Sequence, residues 1–567
     1  MNKNALTTPY VDSMDKITPW NEYPRPTMVR GSFLCLNGYW DFHIGEEAPL
    51  EYSEKILVPF PPESKLSGIE RNIPKNAFMH YKRSFSLDRD FLSDRFILHF
   101  GAVDTICEVF LNGELIARHE GGYLPFSVDC TDKIKIGENS LYLRVCDTIS
   151  PLYPYGKQTH KRGGMWYTPV SGIWQTVWAE AVPNNYVKKL KITPTVQNVK
   201  IEVFGGTEEK TITIRETGEK FVFSGEEITI SPSSIHLWSP EDPYIYNFIL
   251  ETGNDKIESY FALRDIGITE ISGLKRLTLN GKPYLFNGLL DQGYFPDGLF
   301  LPATKQGYED DILNAKALGF NMLRKHIKIE PEIFYHLCDK LGIIVFQDMV
   351  NNSNYSFLFD TILPTICMKR FPDIFLHRDK RSRKIFENHM YAEMDHLYNF
   401  PSIVYYTIFN EGWGQFCADK MYLCAKKHDP TRIIDATSGW FTQKHSDVES
   451  LHIYFKALKL GRNKNRPIVI SEFGGYSYRA EGHLFGDNNY GYRLFKNAED
   501  YEKAIIRLYT DEVMPLIPKG VCALVYTQLT DVEDETNGFL TYDRKLLKVN
   551  SDKIRSVMNK LYSIYNN

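Results

Sequence analysis

Two β-sandwiches followed by a TIM barrel form the fold class that this 567-residue sequence predicts. Three observations predict it. Residues from about Leu34 to Val182 read as many short strands separated by close-spaced turn residues, the pattern of a sandwich or jelly roll. After about Arg264 strands alternate with helices, the pattern of βαβ units, with enough chain for eight of them. Within that region Ile403–Phe409 is an unbroken apolar, aromatic or β-branched run that ends in Asn410-Glu411-Gly412-Trp413. A strand buried on both faces that exits into an amide and a carboxylate is how a β/α barrel presents chemistry at its C-terminal rim. The expected domains are a jelly roll over 1–182, an immunoglobulin-like sandwich over 183–265 and a (β/α)8 barrel over 266–567.

In chain order, Arg95–Phe100, Glu108–Leu111 with the turn Asn112-Gly113, and Ser140–Val145 are expected strands of the first sandwich. Val187–Ile192 and the hairpin-like Thr211–Ile214 belong to the second, which is expected to close with Leu237-Trp238-Ser239-Pro240-Glu241-Asp242-Pro243-Tyr244. In the barrel, Tyr284–Gly288, Phe320–Arg324 and Ile343–Phe346 are expected strands, with helices over Gly307–Leu318 and Pro331–Leu341 between them. The irregular stretch Asn351–Arg383 is expected to be a long connection lining the rim.

Composition narrows the function. Charged residues of both signs are interspersed and net charge is −5, which argues against a dedicated nucleic-acid surface. The stretch Met1–Tyr10 lacks the apolar core of a signal peptide, and no run of about 20 apolar residues offers a membrane span. The nine cysteines are scattered, never as CxxC, and are expected to be free thiols of a reducing cytoplasm. Aromatics make up 14% of the chain, which suits sandwich cores and sugar-stacking surfaces alike.

A second stretch repeats the Glu411 design. Arg466-Pro467-Ile468-Val469-Ile470-Ser471-Glu472-Phe473-Gly474-Gly475 is an apolar strand, a lone Glu, an aromatic and two glycines. The two Glu are about 60 residues apart, room for three βα units of roughly 20 residues each, which places them on the fourth and seventh strands, nearly opposite across the rim. Glycosidic hydrolysis needs such a pair: one carboxylic acid protonates the leaving oxygen and a second carboxylate works on the other face of the sugar. Their pKa values must split, and the like charge of Glu472 is expected to raise that of Glu411. By placement alone, Asp291 after the first barrel strand and His326 after the second are candidates to bind hydroxyls, and Trp413 and Trp440 to form a wall beyond the cleaved bond.

The chain resembles glycoside hydrolase family 2, the family of β-galactosidases, β-glucuronidases and β-mannosidases, nearly end to end. The resemblance rests on Tyr23-Pro24-Arg25-Pro26, Leu36–Phe42, Pro59–Ser64, Gly164–Gln175 and Leu237–Tyr244, together with the two Glu strands. It implies that Glu411 is the acid/base and Glu472 the nucleophile of a retaining mechanism, with Asn410 on the sugar 2-hydroxyl. It further implies that Tyr454, in Leu451-His452-Ile453-Tyr454, orients the nucleophile and that Tyr526 is an aromatic floor under the sugar.

Departures from the family pattern are informative. Where β-glucuronidases carry an Asn-x-Lys clamp, this chain has the acidic Asp534-Glu535-Thr536-Asn537-Gly538-Phe539; Gln347-Asp348-Met349-Val350-Asn351-Asn352 lacks the His of a magnesium motif. The reading is therefore an exo-acting glycosidase on an oligosaccharide or glycoside with a terminal neutral sugar, β-galactoside first, without metal or cofactor. β-Glucosides, β-mannosides, β-glucuronides and α-L-arabinosides stand behind it, as do transglycosylation and non-hydrolytic sugar binding. No nucleic-acid or membrane partner is expected, and the resemblance is compatible with a homo-oligomer.

Overall fold

The computed structural model describes residues 6–75, 77–362, 372–454, 457–460 and 465–567. The first sandwich packs a four-stranded sheet, ordered Leu34–Cys35, Val177–Val182, Arg95–Phe100, Phe126–Asp129, on a six-stranded one that includes Gly38–Gly45, Phe78–Leu87 and Gly137–Cys146. Alternation explains the burial: along Gly137–Cys146, Leu141, Leu143 and Val145 point into a core with Trp40, Phe42 and Phe100, while their neighbours face out.

The second sandwich sets three strands (Val187–Pro194, Val199–Gly205, Glu227–Ile230) against four (Lys210–Ile214, Lys220–Phe223, Tyr246–Thr252, Asp255–Phe261) around Ile192, Ile201, Ile212 and Phe248. Leu237–Tyr244 does not close this domain as expected. It crosses between Ile230 and Tyr246, and the hairpin Tyr246–Phe261 follows it. Its Trp238 is fully buried and donates Nε1–H to the Asp339 carbonyl at 2.8 Å, tying the sandwich to a barrel helix.

A three-stranded sheet unforeseen in the sequence, Ile266–Ile271, Leu274–Leu279 and Lys282–Pro283, then leads into the barrel. Its Ile266, Leu277 and Leu279 pack with Phe286, Phe346, Val469 and Val525, so the sheet plugs the bottom of the barrel. Because Lys282–Pro283 belongs to that sheet, the first barrel strand starts at Phe286 rather than Tyr284.

The barrel strands are β1 Phe286–Asp291, β2 Met322–Lys325, β3 Ile344–Asp348, β4 Ile403–Asn410, β5 Ile433–Ser438, β6 Glu449–Ile453, β7 Ile468–Gly474 and β8 Val521–Thr527. All run parallel in the order 5-4-3-2-1-8-7-6. Helices α1 Gln306–Ala317 and α2 Glu332–Leu341 lie within a residue of the expected spans. Side-chain parity sorts each strand: Leu290, Met322 and Val525 fill the interior, whereas Leu289, Leu323, Leu524 and Tyr526 face the helices.

Among the described residues no helix is long and apolar enough to cross a membrane, and eight cysteines are free thiols; Cys367 lies outside the described residues, as do residues 1–5 of the amino-terminal stretch.

Candidate active site

Glu411 leaves β4 in a left-handed conformation (φ 51°), its N–H bonded to the Ser438 carbonyl at 2.8 Å, and Gly412 continues the turn at φ 74°. A left-handed pair at a strand exit swings the side chain across the rim rather than along the strand. Glu472 lies inside β7, where the ladders to both neighbours slip by a residue. One oxygen of each carboxylate and a ring nitrogen of His452 lie within 4.8 Å of one another.

Arg324, at the interior end of β2, ties the rim together. Its guanidinium donates to Asp348 Oδ1 (2.9 Å), the Ser471 carbonyl (2.9 Å), Glu472 Oε1 (3.0 Å) and Asn410 Oδ1 (2.8 Å). With its carbonyl oxygen so engaged, Asn410 keeps its amide N–H groups for the pocket, which it lines. Tyr454 donates to Glu472 Oε2 at 2.5 Å, lies 2.9 Å from Thr527 Oγ1, and stacks on Tyr492 at 3.9 Å between ring centres.

These contacts set the electrostatics. Burial alone would raise the Glu472 carboxyl, but the pull of His452, Arg324 and His326 and the Tyr454 hydroxyl hold it down to about 2. Burial, with the Lys157 charge behind it, holds His326 down to about 4, so above that pH it is a neutral imidazole. Its Nδ1 pairs with Asp348 Oδ2 at 2.7 Å, which leaves Nε2 for the cavity.

The cavity at the rim is lined by Glu411, Glu472, Asn410, Tyr454, His326 and Trp413, six of the nine residues singled out in the sequence. Trp413 meets Trp166 and Tyr155 edge-on and donates Nε1–H to the Ser353 carbonyl at 3.1 Å.

The other three lie elsewhere. Tyr526 is fully buried on the helix side of β8 against Phe473, Tyr509 and Phe539, and Thr527 lines the cavity instead. Asp291 also falls on the outward parity of its strand and pairs with Lys325 Nζ at 2.6 Å. Trp440 stands behind His452, ring centres 5.7 Å apart, without lining the cavity. Part of Asn351–Arg383 does reach the rim, since Tyr355 lines the cavity and Asn351 donates to the Trp413 carbonyl at 2.7 Å; residues 363–371 lie outside the described residues.

Sequence reasoning missed Arg324, His452, Tyr490, Tyr492 and the contribution of the first sandwich. A loop of that sandwich brings Lys157, Met165 and Trp166 into the cavity; Trp166 sits in Gly164–Gln175, a stretch already distinctive in the sequence. The loop is pinned by Tyr155 and Gly156 N–H bonds to the Asn351 carbonyl. Tyr167 bonds Glu535, whose other oxygen takes Asn537 Nδ2 at 3.0 Å.

Three family models match this chain: "Glycosyl hydrolase 2 galactose-binding domain-like" over residues 69–190, "Glycosyl hydrolases family 2" over 179–264, and "Glycosyl hydrolases family 2, TIM barrel domain" over 270–545. A β-galactosidase of Thermoanaerobacter pseudethanolicus is 24% identical over 350 residues, 56% of this chain and 46% of that protein. A putative β-glucuronidase of Formosa agariphila is 23% identical over 70% of this chain and 50% of its own length. The chain thus spans about half the length of these two relatives. The solved β-D-glucuronidase of Dictyoglomus thermophilum superposes with a TM-score of 0.75 at 17% identity, covering 95% of this chain and 98% of that one, a likeness of fold.

Proposed function

The chain belongs to glycoside hydrolase family 2, and on that footing we propose that it is a retaining exo-glycosidase in which Glu472 attacks the anomeric carbon and Glu411 is the acid/base. The observation that carries this reading is the closeness of the two carboxylates, within 4.8 Å at their nearest ligand atoms. Double displacement works with carboxyl groups about 5–5.5 Å apart, too near to admit the water that inversion places between base and sugar. Ionised at neutral pH, Glu472 suits a nucleophile, and Glu411 is left to protonate the leaving oxygen and later to draw the proton from water. In this reading Asn410, which lines the cavity, donates to the sugar 2-hydroxyl, a bond that strengthens as oxocarbenium character grows. The sandwich loop that closes over the rim supports removal of one terminal sugar.

For the sugar, a neutral β-galactoside is the first reading, in keeping with the acidic Asp534–Phe539 stretch and with a relative named β-galactosidase. One observation favours a second reading. Among the described residues Lys157 Nζ meets no acceptor, lying 5.8 Å from the Tyr167 ring centre, while the cavity carboxylates Glu411, Glu472 and Glu535 are engaged elsewhere. An uncommitted cation in the pocket suits a uronic acid. Purified protein, without added metal, is to be screened on aryl β-galactoside, β-glucoside, β-mannoside, β-glucuronide, β-galacturonide and α-L-arabinoside. A galactoside hit untouched by Lys157→Met supports the first reading; a uronide hit that Lys157→Met removes supports the second. In Glu411→Ala, azide restores turnover of an activated substrate and yields the β-glycosyl azide; an α-azide would sink the retaining assignment.

A further inference from the structure

His452 stands at the seam of the barrel. No ladder joins β5 to β6 among the described residues; side chains close the gap. Ser438 Oγ on β5 lies 3.2 Å from Ser450 Oγ, 2.9 Å from Ser471 Oγ and 2.9 Å from His452 Nε2, and Ser450 donates to Ser471 at 2.6 Å. The imidazole, with no exposed side-chain surface, lies flat over Gly439, where a Cβ would come within 2.7 Å of its Cγ and Nδ1, and Trp440 covers it. Gly439 therefore has two reasons to be glycine: this close approach and its φ of +90°.

So seated, the ring reaches both carboxylates. Nδ1 is 2.7 Å from Glu411 Oε1, and Nε2 is 3.5 Å from Glu472 Oε1. The two contacts differ in kind. Glu472 already holds Arg324 and Tyr454, whereas His452 is the side chain that meets Glu411, itself on a left-handed residue and 20% exposed. Without His452 nothing among the described residues fixes where the Glu411 carboxyl points.

Resting on the glycosidase reading, we propose that His452 is the positioning residue of the acid/base: its Nδ1 holds Glu411 Oε1 and thereby turns Oε2 toward the glycosidic oxygen. General acid catalysis requires the proton within hydrogen-bond reach of that oxygen in the transition state, so losing the hold costs most where the leaving group most needs the proton.

The test uses three substitutions in the full chain. His452→Asn keeps an amide nitrogen near the place of Nδ1, His452→Gln keeps one near Nε2, and His452→Leu keeps neither. For each, kcat/KM is measured on aryl glycosides with good and poor leaving groups, alongside the rate at which an activated 2-deoxy-2-fluoro glycoside labels the protein. The expected result is a loss of about 100-fold on poor leaving groups in the Leu and Gln variants, against a few-fold on good ones. The Asn variant recovers most of it, and the labelling rate follows the good leaving groups, falling only a few-fold in all three. Equal losses on good and poor leaving groups, or no loss in His452→Leu, would overturn the proposal. A wild-type protein that cleaves nothing and takes no label overturns the glycosidase reading itself, and this proposal with it.

Discussion

Arg324 donates through Nη1 to Glu472 Oε1 at 3.0 Å, an ion pair whose side chains are 1% and 7% exposed. The same guanidinium reaches Asp348 and Asn410, so one residue of β2 fixes groups on β3, β4 and β7. A planar fork with five N–H donors can serve several acceptors at once; an ammonium on a flexible stem cannot hold the same directions.

Replacing Arg324 separates fold from function. Arg324→Met strands two buried carboxylates and is expected to cost about 3–5 kcal/mol in urea unfolding. Arg324→Lys keeps the charge and the fold but lets Asn410 and Glu472 drift, with kcat/KM down about 100-fold. Full activity in Arg324→Lys would show that the fork is not needed.

Two tyrosines that looked alike in the sequence should part in kinetics. Tyr454→Phe removes a hydroxyl bonded to a charged group, worth about 1.5–3 kcal/mol, and is expected to lower kcat accordingly. Tyr526→Phe should leave kcat within about threefold, because the ring is a packing element, whereas Tyr526→Ala should destabilise the barrel by about 3–5 kcal/mol. Comparable kinetic losses in the two Phe variants would place Tyr526 in the site after all.

Four buried histidines should lose their contribution to stability in acid before Glu472 does. Burial holds His326, His336, His389 and His396 each down to about 4, against 6.5 when unperturbed. Between those values the unfolded chain binds protons at these four sites that the folded chain refuses, so their contribution to stability falls as pH drops from about 6.5 to 4. Glu472, held down to about 2, shifts in the same direction at lower pH: its contribution is complete above its ordinary value near 4.5 and is lost progressively from there toward pH 2. Buried carboxyls act with the opposite sign in the same window, with Glu63 raised to about 8 and Glu332 and Asp339 to about 7 by burial. The expected record is therefore a difference: from pH 6.5 to 4 the Tm of His396→Gln falls less steeply, or rises more, than that of the parent chain. A Tm profile of His396→Gln that runs parallel to the parent from about pH 7 to 4 would contradict the shift at His396.

Much of this architecture was legible in the chain. The strand before Glu411 is apolar on both faces and then abruptly polar, and β7 repeats that design, so both the barrel and its carboxylate pair could be read from residue order. The same property hid the parity of the strand ends. In Val521–Thr527 every residue is buried, so no alternation reveals that Tyr526 faces the helices while Thr527 faces the cavity. Asp291 was misplaced for the same reason, being buried on a strand with no exposed residue. Lys157 and Trp166 were invisible as site residues because they reach the rim from another domain, and a loop's destination is a tertiary fact. Leu237–Tyr244 was read as the end of the sandwich; the chain uses it to dock Trp238 on the barrel and then resumes the sandwich.

The most direct test of the central claim is to trap the intermediate. Protein is incubated with an activated 2-deoxy-2-fluoro β-glycoside of the sugar it cleaves, digested, and mapped by mass spectrometry. The account predicts one glycosyl adduct, on Glu472, absent in Glu472→Gln, which stays folded and inactive. An adduct on any other residue, or turnover with no adduct and an inverted product, would contradict it.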